Sequence, residues 1–190
     1  MTAASATPPT ARATLADLMR VDGKAELIGG RIVHLMPTGY RPSEIAFRIA
    51  RRLADYAESA GRGKAFPDGI GYVVPELPSG RESFSPDASY TTGPPPADEM
   101  DFAEGPPDFA AEVRSKGDYG PAAEREMAAK RADYFAAGTQ VVWDVDPVAG
   151  TVTKYTAADP LAPAVFGPGR EADAEPAVPG WRLPVDALFA

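Results

Sequence analysis

The sequence predicts a single domain, α/β or α+β, in which helices cover a central β-sheet. Three observations carry this. The chain has 190 residues, the usual size of one domain and enough for a core without disulfides. Strand-like runs alternate with helical ones in the order helix, hairpin, helix, strands, helix, hairpin. The helix between the strands at 108–114 and 141–145 is long enough for a right-handed crossover between parallel neighbours.

The elements follow in order. Residues 1–13 are small and rich in Pro, Thr and Ala, which predicts a disordered tail ahead of one domain over 14–190. Thr14 to Val21 reads as a short helix, with Thr14 as N-cap and Leu15, Leu18 and Met19 on one face. Glu26 to Leu35 reads as a β-hairpin, because Gly29-Gly30 between two apolar runs supplies the positive φ of a tight turn. Ser43 to Ala60 is the clearest helix: Ile45, Ile49, Leu53 and Tyr56 recur near helical spacing and Gly61 stops it. Arg48, Arg51 and Arg52 are expected on its outer face, toward solvent or a partner.

Ile70 to Val74 and Phe84 to Tyr90 read as strands, and Thr92 to Pro106 as a loop. Pro121 suits a first helical turn, and the helix it opens runs to Ala137 before Gly138. Ala123, Met127 and Tyr134 are its expected apolar stripe, with Lys130 on the margin. Val141 to Val145 reads as a buried strand and Thr151 to Tyr155 as its hairpin partner. The last part is rich in Pro, Gly and Ala, with an apolar end at Trp181, Leu183, Leu188 and Phe189 expected to dock on the body. No internal repeat is present.

Composition narrows the chemistry. There is no cysteine, which excludes disulfide scaffolds, thiol nucleophiles and thiolate zinc sites. The one histidine, His34, excludes a multi-histidine metal site within one chain. A metal site must then be built mainly from oxygen donors, which favours magnesium, manganese or calcium. The net charge of −8 does not advertise nucleic-acid binding, although a local basic groove is compatible with it. No stretch is apolar and long enough to span a membrane, and Met1 to Arg12 lacks the pattern of a signal peptide; a cytoplasmic location is expected.

One stretch concentrates the chemistry, Pro107-Asp108-Phe109-Ala110-Ala111-Glu112-Val113-Arg114-Ser115. As a strand it points Phe109, Ala111 and Val113 one way and Asp108, Ala110, Glu112 and Arg114 the other. Charged side chains on a largely buried strand are costly unless they pair or hold a cation. Asp87, in Ser85-Pro86-Asp87-Ala88, stands in a similar setting upstream. Acids on two adjacent strands, with Lys130 reaching the same end of the sheet from the next helix, make a recipe for metal-assisted phosphodiester hydrolysis.

Together these residues resemble the PD-(D/E)XK nuclease superfamily, and within it the restriction-endonuclease-like branch called the Uma-two family. Further matches are Glu26-Leu27-Ile28-Gly29-Gly30-Arg31-Ile32-Val33, Pro37-Thr38-Gly39, and Tyr134-Phe135-Ala136-Ala137-Gly138 leading to Val142-Trp143-Asp144-Val145-Asp146-Pro147. The resemblance covers residues 25–156, leaving 157–190 as an extension. It implies an α/β restriction-endonuclease-like core, with a mixed central sheet flanked by helices and an N-terminal β-hairpin. It further implies an endonuclease acting on DNA with Mg2+ or Mn2+ held by Asp87, Glu112 and the backbone carbonyl of Val113. Arg114 stands where the superfamily keeps its lysine, and Lys130 matches the helix lysine that replaces it in this branch. Glu26 also matches, as an acid approaching the metal from the side. Where the family often carries a histidine after Pro37-Thr38-Gly39, this chain has Ser43-Glu44.

Each residue also has a plainer reading. Asp87 and Glu112 could be buried acids in salt bridges with Arg114 or Lys130. Lys130 could be a lysine snorkelling from a helix margin. Arg114 could clamp a phosphate or form a salt bridge. Asp108 is expected to cap the strand start, with a metal role as the alternative. At the level of the whole chain, the alternatives to an enzyme are a catalytically inactive nuclease-fold module and a structural homodimer, for which the apolar pieces near Trp181 and Phe189 leave room.

Overall fold

The computed structural model describes residues 12–190. The tail expected to be disordered lies outside them, apart from Arg12 and Ala13. Those two are held, with the Ala13 N–H donating to the Gly30 carbonyl at 2.8 Å.

The first helix, α1 (Leu15–Leu18), is capped as expected: Thr14 Oγ1 accepts from the Asp17 N–H, and the Asp17 carboxylate accepts from the Thr14 N–H. It ends sooner than the apolar pattern predicts, because the bonds tighten to i→i+3 at Arg20 and Val21. Strands β1 (Ala25–Ile28) and β2 (Arg31–His34) form the predicted hairpin. Gly29 and Gly30 both take positive φ (58° and 69°), as a type I′ turn requires. Helix α2 (Tyr40–Ala60) starts three residues before the expected Ser43, since Pro42 in the first turn has no N–H to waste. It ends at Gly61 in the left-handed region.

The middle of the chain is more broken than the sequence suggests. Strand β3 (Lys64–Pro67) was not expected, and Ile70 to Val74 contributes only β4 (Tyr72–Val73). The expected strand Phe84 to Tyr90 is two strands, β5 (Ser83–Phe84) and β6 (Ala88–Thr91), in different sheets. Pro86, lacking an N–H, lies at the break. The expected loop Thr92 to Pro106 contains β7 (Ala103–Glu104), which pairs parallel with β4.

Strand β8 (Phe109–Val113), helix α3 (Pro121–Ala137), β9 (Val141–Asp146) and β10 (Thr151–Thr156) fall as predicted. The last part carries more regular structure than its composition implies: β11 (Asp159–Phe166), β12 (Glu171–Asp173), β13 (Arg182–Pro184) and α4 (Val185–Phe189).

The central sheet has six strands in the order β11-β10-β9-β8-β6-β3. Only β8 and β9 run parallel, joined through α3; the other pairs are antiparallel, so the sheet is mixed. A second, three-stranded sheet has the order β5-β4-β7.

The two faces of the central sheet differ. On one, Ile45, Ile49 and Leu53 of α2 pack on Phe109, Ala111, Val113, Trp143 and Val145. Trp181, Leu183 and Leu188 complete this core, with the Trp143 and Trp181 rings stacked 5.1 Å apart. The apolar end that left room for a dimer therefore lies largely inside the chain's own core. Arg48, expected to face outward, donates to the carbonyls of Leu188 (2.9 Å) and Ala190 (2.6 Å), tying α4 to α2. On the other face a smaller cluster forms from Tyr72, Val74, Phe84, Ala110, Tyr134 and Val142. There Tyr134 is the only fully buried residue of α3, and Ala123 and Met127 of its expected stripe stay partly exposed. Met127 instead lines a cavity between α3 and the sheet.

Candidate functional site

Glu112 leaves β8 on the α3 face, as the alternation of the strand dictates. Asp87 immediately precedes β6, the antiparallel neighbour of β8. Ala88 pairs with Ala111, so continuing the register sets Asp87 opposite Glu112. The Asp87 N–H donates to the Ala111 carbonyl at 3.1 Å, and Asp87 Oδ2 accepts from the Val113 N–H at 2.8 Å. The carboxylate thus takes the place of a strand partner at the end of β8. A strand residue's N–H and C=O point to the same side, so the Val113 carbonyl faces Asp87 as well.

Two lysines hold these acids. Lys130 Nζ lies 2.8 Å from Glu112 Oε1 and 3.2 Å from Glu26 Oε1. Lys24 Nζ lies 3.0 Å from Asp87 Oδ1 and 2.5 Å from Asp68 Oδ1. Tyr134, one turn after Lys130, donates its hydroxyl to Glu112 Oε1 at 2.6 Å. Glu26 lies deeper, 2% exposed on β1; it forms an ion pair with Lys130 and accepts from Arg81 and from the Ser85 N–H. Arg81 also reaches Asp133 of α3 at 2.9 Å. Arg81 is set against the hairpin by a close approach: Gly29 N–H donates to the Gly80 carbonyl at 2.7 Å, and a Cβ on Gly80 would meet Gly29 Cα at 3.0 Å. All of these charged groups except Asp133 line one cavity of about 740 Å³, which opens between the hairpin, the sheet end and α3.

The electrostatics are uneven. Burial raises the Glu112 carboxyl above its ordinary value; Lys130 works against this, and the Asp87 charge adds to it. Glu26 moves the other way. Its burial penalty is outweighed by Lys130, Arg81 and the Ser85 N–H, so it stays ionised below the usual carboxylate range. Burial disfavours the Lys130 ammonium, but Glu112 and Glu26 more than offset it and raise its pKa. Burial disfavours the Lys24 ammonium too, and there the Asp87 charge and the Asp68 hydrogen bond outweigh it, so Lys24 is also raised. Burial, then the charges of Glu112 and Glu26, keep the Tyr134 phenol protonated well beyond the ordinary range.

The structure brings together Asp87, Glu112, Val113, Lys130 and Glu26. Asp108 is at the far end of β8, accepting from Thr92 and from Gln140 Nε2, about 13 Å from Glu112 at ~3.3 Å per residue. It does not join the site. Arg114 borders the cavity but forms a two-point pair with Asp144 (2.7 and 2.8 Å) and reaches Glu124. Asp144 is nearly fully buried and also accepts from Arg131 at 3.3 Å. His34 is exposed at the end of β2.

Lys24, Arg81 and Asp68 were not foreseen. Lys24 had a local signal, lying two residues before Glu26 and so on the same side of an extended strand. Arg81 and Asp68 had none, since each reaches the site from a distant loop. Among the described residues, no three or more His, Asp or Glu side chains converge as a group able to hold a metal by themselves. Among them too, no helix is long and apolar enough to cross a membrane.

Comparison with known proteins gives a consistent answer on the fold. A crystal structure described as a putative nuclease belonging to DUF820, from Anabaena variabilis ATCC 29413, superposes with a TM-score of 0.71 at 22% identity. The match covers 93% of this chain and 97% of that one, and at this identity it establishes the shared fold. No curated protein matches the chain. The family model described as "Uma2: Putative restriction endonuclease" matches residues 13–186. A match over nearly the whole chain, from the start of the folded domain into α4, makes this protein a member of the Uma2 family.

Proposed function

We propose that this chain is a metal-dependent endonuclease that hydrolyses phosphodiester bonds in DNA. One observation carries the reading: Asp87 and Glu112 stand opposite each other across neighbouring strands and line one cavity, with Lys130 on Glu112 at 2.8 Å. The family's description as a restriction endonuclease and that of the Anabaena protein as a nuclease agree with it.

The donor set suits Mg2+ or Mn2+. Two carboxylates and the Val113 carbonyl are hard oxygen donors, and magnesium commonly binds through one or two carboxylates while keeping several waters. A third protein acid is therefore not needed. The linked cluster also carries two more carboxylates than cations: Asp68, Asp87, Glu112, Glu26 and Asp133 against Lys24, Lys130 and Arg81. A divalent cation would balance that excess. When bound, it would supply charge neutralisation at the phosphate and lower the pKa of water.

The chain's own residues divide the remaining work. Asp87 is oriented by the Val113 N–H and Glu112 by the Tyr134 hydroxyl. Lys130, kept protonated by Glu112 and Glu26, acts as a fixed positive charge toward the developing charge on phosphate and not as a base. Glu26 and Arg81 hold Lys130 and α3 in place.

A supercoiled-plasmid nicking assay tests this. Nicking should require Mg2+ or Mn2+ and fall by at least about 100-fold in Asp87→Ala and in Glu112→Gln. Cleavage that survives either substitution, or that ignores chelator, sinks the mechanism. A second reading, a nuclease-fold binding module without catalysis, is favoured by Arg114, which stands at the superfamily's lysine position yet is tied to Asp144 and Glu124. DNA binding with steep salt dependence and no cleavage would select it.

A further inference from the structure

We propose that Lys24 is the built-in counter-cation of Asp87 and sets how tightly the site takes a divalent metal. This rests on the reading of Asp87 as a metal ligand. Lys24 Nζ sits 3.0 Å from Asp87 Oδ1, on the oxygen that the Val113 N–H leaves free. The lysine side chain is only 19% exposed, so the contact is not a loose surface pair screened by solvent. A cation that takes up Asp87 Oδ1 must displace this ammonium.

Lys24 also has somewhere to go. Asp68, at 2.5 Å, is the more exposed of its two partners, and it can keep the ammonium when Asp87 is claimed by metal. Glu112 already has its own lysine in Lys130. Each of the two facing acids is therefore neutralised by a separate lysine, one from α3 and one from the hairpin. The metal-free site avoids two unpaired carboxylates side by side, and metal affinity is reduced by the same contact. Lys24 acts through Asp87, so it is a positioning residue.

The test is Mn2+ binding to the full chain without DNA, followed by the electron paramagnetic resonance of free Mn2+ and by calorimetry. Lys24→Met should bind Mn2+ about tenfold more tightly than the parent, and Lys24→Gln should move the same way. Asp68→Asn should weaken binding in the parent, where Lys24 then leans on Asp87 alone. It should have a much smaller effect in the Lys24→Met background. Unchanged or weaker affinity in both Lys24 variants, with binding still lost in Asp87→Asn, overturns the role of Lys24 alone. An equal Asp68→Asn effect in both backgrounds does the same. Absence of Asp87-dependent Mn2+ binding in every variant overturns the metal-site reading as well.

Discussion

Helices α2 and α3 cover opposite faces of one sheet, yet they do opposite things. The inward face of α2 is wholly apolar, with Ile45, Ala46, Ile49, Ala50, Leu53 and Ala57 all buried. The inward face of α3 carries Lys130, Arg131, Asp133 and Tyr134, which bind Glu112, Glu26, Asp144 and Arg81. The cause is in β8 and β9. Their α2-side residues are Phe109, Ala111, Val113, Trp143 and Val145, while on the α3 side Glu112 stands beside Asp144. A helix laid over two adjacent acids must bring cations and donors or leave those acids unpaired. One face is thus the foundation of the fold, and the other is a polar site built on it.

That division can be broken by substitution. The largest effect is expected on the apolar side. Ile49→Ala should lower stability by about 2–5 kcal/mol in urea unfolding, through a cavity beneath α2. It should leave Mn2+ affinity of the folded protein close to the parent. A loss of Mn2+ binding in folded Ile49→Ala would mean that the two faces are energetically coupled.

A smaller effect separates the two glutamates of the polar side, Glu26 buried and Glu112 half-buried. The Glu112 carboxyl is raised from its ordinary 4.5, so the folded state holds the proton more tightly. Its contribution to stability is full below 4.5 and is lost as pH rises through the raised value. Glu26 is lowered, so its contribution is present above 4.5 and lost as pH falls through the depressed value. Relative to the parent, Glu112→Gln should therefore gain stability as pH rises from 4.5 through the raised value. Glu26→Gln should lose relative stability as pH rises from the depressed value to 4.5. Urea midpoints measured across this range check the signs, and parallel curves for the two variants would contradict the assignment.

The smallest effect belongs to Asp108. As a strand-start acid far from Glu112, Asp108→Asn should change nicking by no more than about twofold. A large loss would draw the far end of β8 into the site.

Much of this was legible in the chain itself. Gly29-Gly30 specified the hairpin, Gly61 and Gly138 the ends of α2 and α3, and alternation the two faces of β8. Strand and helix periods, being local properties, gave the side on which Asp87, Glu112 and Lys130 each lie, and the family resemblance pointed to their belonging to one site. Short strands were not legible. Residues such as those of β3, β4 and β7 acquire extended pairing only from neighbours distant in sequence. Nor could Pro86 announce that β5 and β6 join different sheets.

By itself, the sequence determined which side chains of β8 face together and that any metal chemistry would be oxygen-based. Only the tertiary structure decided which cation meets which acid. Arg114, nearest to Glu112 in sequence, turned to Asp144 on the parallel neighbour, while Lys130 and Lys24 arrived from a helix and a hairpin. The reason is geometric: strand register fixes a carboxylate's place, but long cationic side chains pair with whichever acid the packed elements bring within about 4 Å.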